Sequence, residues 1–172
     1  MGASGLIVRV PPAQALVDDL RLRYDEAARL GVPAHITVLF PFVPPERVDA
    51  AVLARVRQAL AAIRAFDFTL TSVRRFPATA YLAPDPPAPF VALTEALVRE
   101  FPEHPPFGGE FDSVIPHLTV AHGDADGATA VERELAARLA AHGPVRARCV
   151  AVDLYENATG RWRPMHRFEL TG

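Results

Sequence analysis

The sequence predicts an α+β protein of two similar lobes, each an antiparallel sheet with outer helices, facing each other across a central cleft. Three observations predict it. The stretch Val32-Pro33-Ala34-His35-Ile36-Thr37-Val38 returns 82 residues later as Val114-Ile115-Pro116-His117-Leu118-Thr119-Val120. Around each copy the same order is legible: helix, His-bearing strand, helix, strand, strand. At the middle of the chain, four prolines crowd residues 84–89, as a connector between two halves should. The expectation is one domain over 1–172, with lobes at roughly 1–85 and 86–172 as halves of an internal duplication about a pseudo-twofold axis.

The elements follow in order. Residues 6–10 form a short apolar run closed by Pro11 and Pro12, a first strand. Leu16, Leu20, Tyr24 and Ala27 recur at spacings of four and three, which predicts a helix from about Ala13, stopped by Gly31 and Pro33. The His35 strand runs to about Leu39, and Pro41, Pro44 and Pro45 force a loop after it. Val48, Val52, Val56, Leu60 and Ile63 make one stripe of a second helix beginning near Glu46. Residues 66–73 and 79–83 read as a hairpin turning through 74–78.

Beyond the prolines the pattern restarts. Phe90, Leu93, Leu97 and Phe101 give a helix, residues 102–112 a long irregular loop, and His117 the next strand. Val131, Leu135 and Leu139 mark another helix, with Thr129 and Glu132 in capping-box spacing and Gly143-Pro144 as its stop. Residues 145–155 and 162–170 then read as two strands joined through 157–160.

Composition narrows the class. Half of the 172 residues are hydrophobic and 22% are charged, ordinary for a globular domain. One cysteine, Cys149, excludes an internal disulfide and fits a reducing compartment. No apolar run approaches a membrane span and no signal-peptide pattern opens the chain, so a cytoplasmic protein, off the membrane, is expected. The net charge is −2 and all 18 basic residues are arginine. That near-neutral balance argues against a long nucleic-acid footprint and leaves room for a small phosphate-bearing ligand or an RNA terminus.

In an extended strand successive side chains alternate between faces. His35 and Thr37 therefore share one face, with Ile36 and Val38 on the other, and the second copy repeats this with His117 and Thr119 against Leu118 and Val120. Two such strands facing each other put two imidazoles and two hydroxyls around one small space. One His-x-Thr-x is a weak signal, but two copies at equivalent places in a duplicated architecture are a strong one.

On these two motifs the sequence resembles the 2H phosphoesterases, also called the 2′-5′ RNA ligase-like or cyclic phosphodiesterase superfamily. Members carry two His-x-Thr/Ser-x motifs on central strands of two similar lobes. The resemblance spans essentially the full length. It implies that His35 and His117 are catalytic and that Thr37 and Thr119 bind the phosphate. The implied activity is metal-independent hydrolysis of a 2′,3′-cyclic phosphate or a 2′-5′ phosphodiester of a nucleotide or RNA end, by a monomer with no cofactor. Independent chemistry agrees: histidine exchanges protons near neutral pH, so a pair can act as base and acid on one phosphate. Two hydroxyls on the same faces can stabilise charge on the phosphoryl oxygens.

Two other readings remain open: a 2′-5′ RNA ligase acting on tRNA halves, and a non-catalytic nucleotide- or RNA-end-binding protein. No Cys/His cluster has zinc spacing, and no metal site is expected. Ideal strand parity puts His122 on the face opposite His117, at the surface or a strand end. His142 fits a helix C-terminus, where a cation is favourable, and His104 a solvent-exposed loop. Arg74, Arg75, Phe76, Tyr81, Trp162 and Arg163 are candidate cleft residues, although a core or solvated role suits each as well. Phe107-Gly108-Gly109 could belong to a lid.

Overall fold

The structure, a computed structural model, describes residues 2–110 and 113–172. In chain order the elements are β1 Ser4–Arg9, α1 Gln14–Tyr24, α2 Glu26–Arg29, β2 His35–Leu39, α3 Ala50–Leu60, β3 Phe66–Phe76 and β4 Thr79–Asp85. They continue with α4 Ala88–Glu100, β5 Leu118–His122, α5 Ala125–His142, β6 Val145–Cys149, β7 Ala151–Glu156 and β8 Arg163–Glu169. The fold is α+β, and the eight strands among the described residues make one antiparallel sheet in the order β6-β3-β4-β5-β2-β1-β7-β8.

The helices form where apolar spacing and caps agree. On α1, Leu16, Val17 and Leu20 are buried. It breaks at Asp25, whose carboxylate accepts the Ala27 N–H and starts the short α2. Asp49 caps α3 by accepting the Val52 N–H at 2.9 Å, and Val56 and Leu60 face the core. The stripe expected for α4 is buried in full: Phe90, Leu93, Leu97 and Phe101.

The helix α5 begins earlier than the Thr129/Glu132 pattern predicts. Asp124 caps it, accepting the N–H groups of Asp126 and Gly127 at 3.3 and 3.0 Å. Thr129 lies inside the helix, donating to the Ala125 carbonyl at 3.0 Å. Ala128 extends the buried stripe of Val131, Leu135 and Leu139 by one turn, but an alanine beside Gly127 is a weak helix signal in the sequence. Asp124→Ala is expected to cost about 0.5–2 kcal/mol in urea unfolding, the range for a lost N-cap. Thr129→Ala should cost less than that, and the reverse order would overturn the assignment of the cap.

Strand order interleaves the two halves of the sequence. The β3–β4 hairpin lies beside β5, while β7 and β8 lie beyond β1, on the β2 side. Along the chain, strands and long helices alternate as β1, α1, β2, α3, β3, then β4, α4, β5, α5 and β6/β7. β3 thus pairs on the β5 side of the sheet and β7 on the β2 side. Of the proline-rich residues 84–89, the first two close β4, residues 86 and 87 link it to α4, and the last two open α4. Proline density marks a break in regular structure, whatever the rank of that break in the architecture.

Two strand limits also differ from expectation. Residues 145–155 divide at Val150, so that β6 pairs with β3 on one side of the sheet and β7 with β1 on the other. No Gly, Pro or Asn marks that division. The β3–β4 turn is Pro77-Ala78, which leaves Arg74, Arg75 and Phe76 paired with Tyr81, Ala80 and Thr79. Of the loop expected over 102–112, residues 111 and 112 lie outside the described residues.

The long helices α1, α3, α4 and α5 lie on one side of the sheet, over a core that includes Leu6, Val8, Ile36, Val38, Leu82, Leu118 and Val120. The other side carries a small apolar cluster of Ile7, Val32 and Tyr155, with Ala27 of α2 and Trp162 against it. None of the helices is long and apolar enough to cross a membrane, the search covering the described residues.

Candidate active site

The two motif strands are central neighbours, bridged at Ile36↔Leu118. Both bridging side chains are fully buried on the side of the long helices. Antiparallel partners share a face and neighbours alternate. The register therefore puts His35 across from Thr119 and Thr37 across from His117, all four on the face away from the long helices and all half-buried. His35 opens β2, and His117 immediately precedes β5.

The two imidazoles are held alike. His35 Nδ1 lies 2.8 Å from the Pro33 carbonyl, and His117 Nδ1 lies 2.6 Å from the Ile115 carbonyl. A carbonyl only accepts, so each Nδ1 carries the proton and each Nε2 is left as the reactive nitrogen. Burial is the main influence on both. It holds His35 down to about 4, against the help of the Pro33 carbonyl and with added repulsion from Arg21 and His117. Burial also lowers His117, with the Ile115 carbonyl opposing and His122 assisting.

The walls differ in chemistry. On the His117 side Tyr81 is the β4 partner of Thr119. Phe76 stacks on Tyr81 with ring centroids 4.6 Å apart, and the two rings stand 5.3 and 5.4 Å from the His117 ring. Phe107 lies nearly parallel to His117 at 6.4 Å. Its N–H donates to the Phe40 carbonyl at 2.7 Å, tying loop 102–110 to the exit of β2. Arg74, the β3 partner of Tyr81, is exposed on the same face. On the His35 side, Arg9 is the β1 partner of His35, and Asp153 on β7 is the partner of Ile7.

A β-bulge changes one assignment. Thr119 pairs with Tyr81 but Ala121 pairs with Ala80, so Val120 is an extra residue and both Val120 and Ala121 are buried. A bulge re-aims the side chains after it. His122, paired with Thr79 and 2.8 Å from its Oγ1, thereby joins the face of His117, contrary to strand parity. Its ring remains exposed.

The remaining candidates separate cleanly. Phe76, Tyr81 and Arg74 face the site. Arg75 points to the side of the long helices, donating to Thr129 at 2.7 Å. Trp162 packs edge-on against Phe40 at 5.9 Å as part of the His35-side wall. Arg163 is held by Glu156. His104 is half-buried against Phe42 at 5.6 Å rather than solvent-exposed, and His142 ends α5 as expected. Among the described residues no group of three or more His, Cys, Asp or Glu side chains is arranged to hold a metal ion.

Sequence reasoning missed Arg9, Asp153, Arg167 and the buried Arg21–Asp25 pair. Arg9 and Asp153 lie far apart in the chain, and only strand pairing joins them. The one available signal was Arg9 itself, a charge ending an apolar strand.

Comparison with known proteins follows this geometry. A sequence model described as the 2′-5′ RNA ligase superfamily matches residues 9–161. No curated protein matches the chain. Among solved structures, E. coli LigT complexed with 3′-AMP is similar with a TM-score of 0.65 and 17% identity, over 99% of this chain and 98% of that one. E. coli LigT complexed with NADP+ gives 0.61 and 20% over the same shares. TT0787 of Thermus thermophilus gives 0.62 and 17%, again over 99% and 98%. At these identities the likeness to the structures is one of fold. The match over residues 9–161 covers most of the chain, and the chain belongs to the 2′-5′ RNA ligase superfamily.

Proposed function

We propose that the protein is a metal-independent phosphodiesterase that hydrolyses a 2′,3′-cyclic phosphate or a 2′-5′ phosphodiester of a nucleotide or RNA end. The observation that carries this reading is the pairing at Ile36↔Leu118, which gathers two imidazoles and two hydroxyls on one face with both Nδ1 atoms turned to backbone carbonyls. Family membership and the nucleotide complexes of the structurally similar LigT agree with it.

In the proposed step His35 Nε2 takes a proton from water while the water oxygen bonds to phosphorus. The bond from phosphorus to one ribose oxygen breaks, and His117 gives that oxygen a proton, leaving a phosphate monoester. Thr37 and Thr119 donate to the non-bridging oxygens. His35 is assigned as base because its stronger burial and the nearby Arg21 keep it neutral down to about 4. Phe76, half-buried and stacked on the buried Tyr81, offers an aromatic surface to a base on the His117 side.

The pH dependence follows with a definite sign. The base must be neutral, so activity rises as pH increases through about 4. The acid must be protonated, and His117 is held below its ordinary 6.5, so activity falls as pH rises toward neutrality. For the free enzyme, kcat/KM is expected to peak in the mildly acidic range between these limits. A profile still rising at pH 8 would sink the assignment of His35 and His117 as base and acid.

Turnover is tested in EDTA with nucleoside 2′,3′-cyclic phosphates and a 2′-5′ linked dinucleotide, with phosphorus NMR to identify products. Hydrolysis that survives chelation is expected. Failure on every compound would overturn the hydrolytic reading in favour of ligation or binding.

A further inference from the structure

We propose that Arg9, oriented by the buried carboxylate of Asp153 and assisted by Arg167, forms a second anion subsite beside His35 that takes a further phosphate group of the substrate. The inference rests on the phosphodiesterase reading and names its substrate class: a nucleotide or oligonucleotide end carrying another phosphate, in preference to a bare nucleoside cyclic phosphate.

The register places it. Across the face run two parallel rows, one of Arg74, Tyr81, Thr119, His35 and Arg9, the other of His117, Thr37, Ile7, Asp153 and Arg167. The reacting phosphate belongs between β2 and β5, where the imidazoles and hydroxyls converge. Arg9 lies on the far side of His35 from that point, one strand spacing away, about 4.8 Å. Its Nε–H donates to Asp153 Oδ2 at 3.0 Å, which turns the guanidinium toward β7 and away from the reacting centre. It is therefore placed for a neighbouring anion rather than for the phosphate that reacts.

The group is built as an anion site rather than a surface ion pair. The Asp153 side chain is only 5% exposed, while those of Arg9 and Arg167 are 39% and 40% exposed. Two cations thus share one buried carboxylate, with Arg167 Nη1 3.4 Å from both of its oxygens. Arg167 also donates its Nε–H to Glu169, whose side chain is 68% exposed. Among the described residues Arg9 has one carboxylate partner, on Nε, and a guanidinium has five N–H donors in a fork that suits phosphate oxygens. Preorganised donors bind without a large ordering cost.

The test compares a nucleoside 2′,3′-cyclic phosphate with the same compound bearing a 5′-phosphate. The wild type is expected to favour the phosphorylated substrate about tenfold in kcat/KM, through KM, as one charge-assisted hydrogen-bonded contact allows. In Arg9→Gln that ratio should collapse toward one, and Arg167→Gln should reduce it less. Asp153 retains Arg167 in Arg9→Gln, so the variant is expected to fold. Binding of the two compounds to His117→Ala, measured by calorimetry, reads the subsite without chemistry. Equal affinity for both, or a preference that persists in the Arg9→Gln/His117→Ala double variant, overturns the subsite. Tighter binding of the phosphorylated compound without turnover of either by the wild type would overturn the hydrolytic reading instead and leave the subsite standing.

Discussion

Replacing His35 or His117 by alanine is expected to lower turnover of a 2′,3′-cyclic nucleotide by about 10²–10⁴-fold, the usual contribution of a positioned acid or base. The double variant should lose little more than either single one, because base and acid act in one step and neither completes it alone. Both rings lie on the face away from the main core, so truncation removes little buried packing. Circular dichroism and urea unfolding should stay near wild type while activity vanishes. Each imidazole does lose its hydrogen bond to the carbonyl two residues before it, at Pro33 or Ile115. A variant that is folded and turns over within about twofold of wild type would sink the two-histidine mechanism. Thr37→Val and Thr119→Val are expected to cost less, since each removes one donor to the phosphate and leaves proton transfer intact.

Asp25→Ala is expected to destabilise the protein by about 3–5 kcal/mol, the cost of leaving a buried charge without its partner. Arg21 and Asp25 are 2% and 4% exposed, and Arg21 Nη2 lies 3.5 Å from Asp25 Oδ2. Among the described residues the Nε and Nη2 atoms of Arg21 have no hydrogen-bond partner. Burial lowers the Arg21 pKa and raises that of Asp25, so for each group the loss of water outweighs the attraction of the other. Such a pair is a poor source of stability but a severe liability when broken. Asp25 also caps α2, which adds to its loss.

The two single variants should differ. Arg21→Met leaves an aspartate that can escape by taking up a proton, toward which its raised pKa already leans. Asp25→Ala leaves a guanidinium that cannot discharge, because arginine stays protonated across the accessible range. Arg21→Met is therefore expected to cost less, and Arg21→Met/Asp25→Ala to recover much of the stability. Urea unfolding of the four proteins measures this, and an Arg21→Met loss equal to or greater than that of Asp25→Ala would contradict it. The pair also acts on the site, since Arg21 is one of the charges that hold the His35 pKa down. In the double variant His35 should titrate higher by NMR, and the acid limb of kcat/KM should move up with it.

Much of this architecture was legible in the chain because it depends on local periodicity. The stripe Phe90, Leu93, Leu97 and Phe101 is a helix face wherever it occurs, and alternation in His35-Ile36-Thr37-Val38 puts imidazole and hydroxyl on one side of any strand. Local reading failed where a residue's role is set by something other than spacing. Val150 looks like strand but separates two strands at opposite ends of the sheet. Strand parity put His122 on the wrong face because one bulged residue, Val120, reverses everything after it.

The sequence by itself determined the α+β class, the two motif strands and which of their side chains share a face. These follow from backbone geometry that any strand or helix must obey. Only the tertiary structure decided that β2 and β5 are neighbours, that Ile36 meets Leu118, and that Arg9 stands beside His35 with Asp153 behind it. Those relations join residues up to 144 positions apart. They are selected by the burial of one common core and the pairing of every inner strand, and such non-local choices leave no period in the chain.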